Sequence, residues 1–600
     1  MSRIAGGRRS SGSASEANRA DSLGNPGGTP AAEDPGMTTR ASSLLAILAI
    51  ALAACGGGGS DAGGDDGGNV GFGGAQDIGQ FRSILDQGEI PGEETLDANG
   101  FFSEHYSELP DAACGNELCL HPMLSVGRDW LNGAYQATLQ IAMTTPIDPT
   151  ALPRLPLNLV VVVDHSGSMA ADGRMDKVKQ GLHLLIDSLE PGDRLSLVQF
   201  DDVVDVLSTL ANEPDPAALH ALVDQLYPDG LTNIHAGLET GFQQASLGWN
   251  AERQNRLILL SDGLATVGIV DPNAIIEMAD EYLAEGMSLT TIGVGLDFDV
   301  GLMRGLAEHG AGNFYFLEDA AAVNEVFTEE LEYSLTTIAL DVEVNAVPAP
   351  GYDLGEVIGT RVWRSTSDGG HAQIPAVFVA SRVSQGGEPG RRGGGGSIFI
   401  DLDPIAGAID DGRVATVTLS YRLPGSSQVR TQQVDVTNPN PLGELPTDTY
   451  VSHQAMMEHY AAYNLYRGLR EGAHSAVYSY DCAFAALTAL QDSARRFNSV
   501  FNDPDVAADI LLIEQFRQNL LAHGARPEAA PSQAACAAAD PNPYPDDPTY
   551  PDDYDDDYYG NDHLHCSGAG SSRSGLAMFL LIGAALLVSR RRRATRQASS

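Results

Sequence analysis

Between residues 157 and 335 the apolar positions switch between two rhythms. "LNLVVVVD" and "NRLILLSD" are apolar almost without a break, the mark of strands buried on both faces. "DRLSLVQF", "SLTTIGVG" and "GNFYFLED" read as further strands. Between them "RMDKVKQGLHLLIDSL", "PAALHALVDQLY", "IHAGLETGFQQASLG", "PNAIIEMADEYLAEG", "DVGLMRGLAEHG" and "AAAVNEVFTEELEYSLTT" carry apolar residues at helical spacing. Strand and helix in alternation predict an α/β fold: a doubly wound, mostly parallel, Rossmann-like sheet with helices on both faces.

The rhythm changes on either side. Residues 75–156 hold strand-like runs such as "AYQATLQIAMTT". In residues 336–446 "ALDVEVNAV", "AQIPAVFVAS", "GSIFIDL", "VATVTLSYRL" and "SQVRTQQVDV" are separated by Gly and Pro turns, which predicts a small antiparallel sandwich. Residues 447–525 return to helical spacing ("SHQAMMEHYAAYNLYRGLREG", "AFAALTALQDSARRF", "DILLIEQFRQNLLAH"), best explained by core packing. Residues 56–74 read as a Gly/Asp-rich linker. Residues 526–565 form a Pro-, Asp- and Tyr-rich tail expected to be disordered, a solvated spacer with no EF-hand spacing.

Both ends look like processing signals. Residues 1–55 hold a polar leader and then "MTTRASSLLAILAIALAAC" from Met37, a plausible true start. A basic residue, an apolar run and small residues make a secretory signal. "LAAC" resembles the lipobox of bacterial lipoproteins, which implies lipidation at Cys55. Gly56 behind it implies the outer membrane. At the other end, residues 566–600 place Cys566 before a short apolar run (576–588) and Arg590 to Arg593. Thirteen helical residues reach only about 20 Å against a hydrocarbon core of about 30 Å. The pattern resembles MYXO-CTERM sorting tails, which implies cleavage and passage to the cell surface; a single marginal transmembrane helix is the alternative. Which anchor persists stays open.

Charge and cysteines narrow the partners. The 600 residues carry 35 Lys+Arg against 80 Asp+Glu, a formal charge of −45. Such a chain repels nucleic acid and attracts cations. Export makes disulfides plausible, with Cys114 paired to Cys119 and Cys482 to Cys536. No zinc-type grouping stands out, and "HLHC" at 563–566 is a weak pattern in the tail.

The chemistry gathers at strand ends, where ligands bind in doubly wound sheets. "VVVVDHSGSM" puts Asp164, Ser166 and Ser168 after the first strand. "LILLSDGLA" puts Asp262 after another, and "DGLTNIHAGL" puts Thr232 just before a helix. All of these donors are oxygens, which suits Mg²⁺, Ca²⁺ or Mn²⁺ and disfavours zinc or copper. The bland alternative is that Ser166 or Ser168 caps the following helix. Asp172 and Asp176 are expected to be solvated.

Taken together, "DHSGSM", Thr232 and "SDG" resemble the D-x-S-x-S … T … D pattern of von Willebrand factor type A (VWA) domains, their metal-ion-dependent adhesion site (MIDAS). "GDRLSLVQF", "TNIHAGL", "NRLILLSDG" and "TIGVG" extend the likeness over 157–335, towards the bacterial branch related to calcium-activated chloride-channel regulators. The resemblance implies that Ser166, Ser168 and Thr232 coordinate the metal through hydroxyls. Asp164 and Asp262 would act through water or by holding the serines, and a partner's Asp or Glu would complete the shell. The chain is therefore expected to be a non-enzymatic, membrane-anchored adhesion or interaction protein on the surface of a diderm bacterium. A periplasmic assembly scaffold is the second reading. A serine hydrolase is the least supported: no G-x-S-x-G elbow is present, and His165 and Ser166, as sequence neighbours at a strand end, point apart.

Overall fold

The computed structural model describes residues 68–540, apart from 106, 148–154, 211–213, 251, 284–286, 297, 318–319, 325, 328–336, 381–394, 405–411, 441–448 and 530. Cys55, Cys566 and the apolar run 576–588 lie outside the described residues. Among those described, no helix is long and apolar enough to cross a membrane.

The α/β region builds a 7-stranded sheet. Its order is Gly74–Ala75, Asn313–Leu317, Ser288–Val294, Gln254–Ser261, Leu157–Asp164, Arg194–Phe200, Val204–Ser208, parallel except for the last pair. All eight residues of Leu157–Asp164 are buried. Side chains alternate across a strand, so Leu159, Val161 and Val163 enter one core with helix Arg174–Asp187. Val160 and Val162 enter the opposite core with helices Ile234–Gly248 and Val300–His309. Each buried valine is worth roughly 1.5–3 kcal/mol. The floor of the strand is fixed by Asp193, which accepts from Leu157 N at 2.8 Å.

The regions that read as separate in sequence are joined. Strands from both sides of the α/β segment make one 11-stranded antiparallel sheet. Gly68–Phe72 pairs with Tyr135–Thr145 on one side and with Gly369–Val379 on the other. One apolar core draws Leu124, Leu139 and Ile400 from one half of the sheet and Val344, Val417 and Tyr421 from the other, so the sheet folds over on itself. The segment 56–74, read as a linker, therefore holds a strand, and the next residues, Gly74–Ala75, lie at the edge of the parallel sheet.

Helices Met456–Tyr478, Tyr480–Phe501 and Pro504–Ala522 share a fourth core with the early helices Gly79–Asp86 and Ala98–Ser103. Ser479 and Asp503 cap the second and third of them through side-chain oxygens. A buried hydrogen bond between His105 Nε2 and Asp509 Oδ2, at 2.5 Å, ties early to late segments. Cys114 is bonded to Cys119, and Cys482 to Cys536. The second bridge holds helix Gln533–Ala539 inside the stretch 526–565, which composition alone assigns to a disordered tail.

Candidate metal centre

Three loops meet at the carboxyl ends of the parallel strands. The first follows Leu157–Asp164. The second precedes helix Ile234–Gly248, and the third follows Gln254–Ser261. Backbone bonds fasten them together: Gly167 N donates to Gly230 O at 3.2 Å, Asp229 N to His165 O at 2.8 Å, and Thr266 N to Thr232 O at 2.9 Å.

The five oxygen-bearing residues converge there. Asp164 is fully buried. Its Oδ1 accepts from Ser166 N at 2.9 Å and its Oδ2 from Ser261 Oγ at 2.6 Å, so both oxygens hold the protein rather than face outward. Burial pushes its carboxyl up to about 6, against the lowering bonds from Ser261 and Ser166; the nearby Asp262 adds to the rise. Ser166 Oγ lies 3.0 Å from Ser168 Oγ, and Ser168 Oγ donates to Asp262 Oδ1 at 2.7 Å. A Cβ built on Gly263 would stand 3.5 Å from Thr232 Oγ1 and 3.7 Å from Ser168 Oγ. Those two hydroxyls thus flank one space above the "SDG" turn, kept clear by the missing side chain. The capping alternative has no bond behind it: neither the 3₁₀ turn Gly167–Gly173 nor helix Arg174–Asp187 has a side-chain cap.

Arg174 is the residue that sequence reasoning passed over. Its Nη1 donates to Asp262 Oδ2 at 2.8 Å, with the arginine nearly buried and the carboxylate fully so. Charge-assisted bonds of this kind are the strong ones. Gly295, at φ +84°, makes room for it: a Cβ there would stand 2.4 Å from Arg174 Nε. The signal was an arginine on the inward face of an amphipathic helix, in the same register as Met175 and Val178. The site therefore holds two carboxylates and one guanidinium behind a front of three hydroxyls. An all-oxygen donor set of this composition fits a hard divalent cation. Ser166, Ser168 and Thr232 would hold the ion, which would supply a positive charge with room for an anionic ligand.

His165 is nearly buried; its Nδ1 sits 3.1 Å from Tyr227 O and its Nε2 3.8 Å from Asp201 Oδ2, while Ser166 Oγ pairs with Ser168. Asp172 and Asp176 are exposed. The second and third of these loops expose Tyr227, Leu231 and Leu264, and the turn between Arg194–Phe200 and Val204–Ser208 exposes Val203, each more than half exposed.

Residues 158–329 match the family model of the von Willebrand factor type A domain. The Escherichia coli (strain K12) protein YfbK is 33% identical over 187 residues, covering 31% of this chain and 32% of that one. Inter-alpha-trypsin inhibitor heavy chain H6 of Homo sapiens is 26% identical over 260 residues, 41% of this chain and 18% of that one. Among solved structures, a von Willebrand factor type A protein from Catenulispora acidiphila aligns with a TM-score of 0.45 at 16% identity, over 68% of this chain and 90% of that chain. The chain spans less than half the length of the curated relatives it matches. By the family match, residues 158–329 are a von Willebrand factor type A domain, set into the chain between the strands of the outer sheet.

Proposed function

We propose that this chain is a non-enzymatic interaction protein whose VWA domain binds Mg²⁺, Ca²⁺ or Mn²⁺ and, through it, an acidic side chain of a protein partner. The observation that carries the reading is the convergence of Ser166, Ser168 and Thr232 hydroxyls on one open space, with Asp164 and Asp262 turned inward to hold them. VWA domains commonly bind a divalent metal and mediate protein–protein interactions. Hydroxyls neutralise a cation less than carboxylates do, and Arg174 already offsets Asp262. A bound ion therefore keeps a net positive charge for an anionic ligand. The exposed Tyr227, Leu231, Leu264 and Val203 around it fit a partner whose acidic residue is flanked by apolar ones.

Calorimetric titration of the purified protein with each ion tests this. One saturable equivalent is expected, lost in Ser168→Ala and in Thr232→Ala. Asp262→Ala is a poor probe, since it leaves Arg174 buried without its carboxylate. Unchanged binding in both hydroxyl variants would remove the reading.

Placement on the cell surface rests on the lipobox-like Cys55 and the tail from Cys566. Protease treatment of intact cells should degrade the protein; protection would favour a periplasmic scaffold. Cys55→Ser should release the protein from membranes if the lipid is the lasting anchor.

A further inference from the structure

We propose that His183 and His220 form a second metal site, for Zn²⁺, Cu²⁺ or Ni²⁺, on the outer side of helices Arg174–Asp187 and Pro216–Asp224. The sequence holds the same half-site twice: "HLLID" at 183–187 and "HALVD" at 220–224. Residues four apart share a helix face, so each helix presents one histidine and one aspartate to the other. The pairs cross. His183 Nε2 lies 3.2 Å from Asp224 Oδ1, and His220 Nε2 lies 3.1 Å from Asp187 Oδ1.

The crossing fixes the tautomers. A carboxylate only accepts, so each Nε2 carries the hydrogen. Each Nδ1 is then left with a lone pair, and the two Nδ1 atoms are 2.6 Å apart. The ring centroids are 4.9 Å apart, as expected when two imidazoles meet nitrogen to nitrogen along the line of their centres. Two bare lone pairs repel at that distance. A cation between them removes the conflict, whether a metal ion or a shared proton. Carboxylates on the far N–H are the usual outer partners of metal-bound histidines, fixing ring orientation and raising basicity. Metal–nitrogen bonds of about 2.0–2.1 Å put the nitrogens roughly 3.3 Å apart in a tetrahedral site. Both rings are about one-third exposed, at 32% and 29%, and can open by that small amount.

Lys179 is the nearby cation, one turn before His183. Its Nζ donates to Asp224 O at 2.9 Å, which pins the end of the second helix, and the two aspartates outweigh its charge. Among the described residues no group of three or more His, Cys, Asp or Glu is arranged for a metal. The protein thus supplies two nitrogens, and water or a partner completes the shell. Imidazole nitrogens select late first-row ions, whereas the hydroxyls of the VWA site select hard ones, so the two sites take different metals.

The test is Cu²⁺ titration of the full protein in excess Mg²⁺, read by electron paramagnetic resonance for imidazole nitrogen coupling. One Cu²⁺ equivalent with that coupling is expected. It should vanish in His183→Gln and in His220→Gln and persist in Ser168→Ala. Asp224→Asn should weaken it by about 10-fold or more. Thermal unfolding checks that the variants, at half-exposed positions, stay folded. Stoichiometry and coupling unchanged in both glutamine variants would overturn the proposal and leave a histidine pair that only shares a proton.

Discussion

At the scale of single residues, the pairing of Arg174 with Asp262 governs the centre. Removing one partner of a buried ion pair leaves an uncompensated charge, at a cost of about 3–5 kcal/mol. Arg174→Ala should therefore lower the unfolding midpoint of the metal-free protein. Mg²⁺ should restore more stability to the variant than to the parent, since the ion becomes the remaining counter-charge for Asp262. Equal Mg²⁺ shifts in a thermal melt would contradict this. Gly295→Ala should act on the same pair from behind. The left-handed backbone alone costs roughly 1–2 kcal/mol for a residue with a side chain, and the added carbon crowds Arg174. The five oxygen residues were legible because three short motifs sit next to recognisable strands and a helix. Arg174 was not, because its carboxylate is far along the chain: the helical register marks an inward-facing arginine but not the group it meets. His183 and His220 were masked in the same way: each looks like an ordinary polar position until the neighbouring helix is in place.

At the scale of elements, local chemistry explains what was readable. The strand Leu157–Asp164 and the helices beside it declare themselves by period and burial. The hairpin strand Val204–Ser208 does not, because it is short and half-exposed. Gly68–Phe72 does not either: "GNVGF" has a linker's composition, and it becomes a strand only because two distant strands offer it their backbone groups. Caps are plainer. Asp503 accepts from Asp505 N at 2.8 Å and from Val506 N at 3.1 Å, so Asp503→Ala should destabilise helix Pro504–Ala522 by about 1 kcal/mol, measurable by chemical denaturation. The loops around the candidate metal centre carry a separate expectation. Tyr227→Ser with Leu231→Ser should weaken partner binding by at least about tenfold, from the loss of two apolar anchors. Metal binding in the same variant should be unchanged. A parallel loss of metal would mean the loops had collapsed.

At the scale of the whole molecule, the VWA domain meets the outer structure through a charged junction. Asp97 lies 3.5 Å from Arg304 Nε and 3.4 Å from Arg361 Nη2, and Glu308 lies 3.7 Å from Arg361 Nε. Burial pushes the Glu308 carboxyl up to about 7, although Arg361 pulls it down. The folded protein thus keeps a proton that the unfolded chain releases at lower pH. The stability this gives is complete below the unfolded value of 4.5 and is lost as the pH rises towards 7. Glu308→Gln, neutral throughout, should narrow the difference in urea midpoint between about pH 5 and about pH 8. The Cys482–Cys536 bridge closes a loop of 54 residues, worth about 4 kcal/mol in chain entropy. Cys536→Ser should lower the melting temperature accordingly. One consequence of the shared sheet concerns the order of events during synthesis. The core of the α/β domain closes once Val323, Val326 and Phe327 have emerged, whereas Gly68–Phe72, which pairs with the early strand Tyr135–Thr145, must wait for Gly369–Val379 on its other side. An interval therefore exists in which a finished domain hangs beside strands with open edges, the kind of surface that recruits wrong neighbours. A chain stopped at residue 340 should show that interval directly, with the segment 157–327 resisting protease and the segment 119–145 cut.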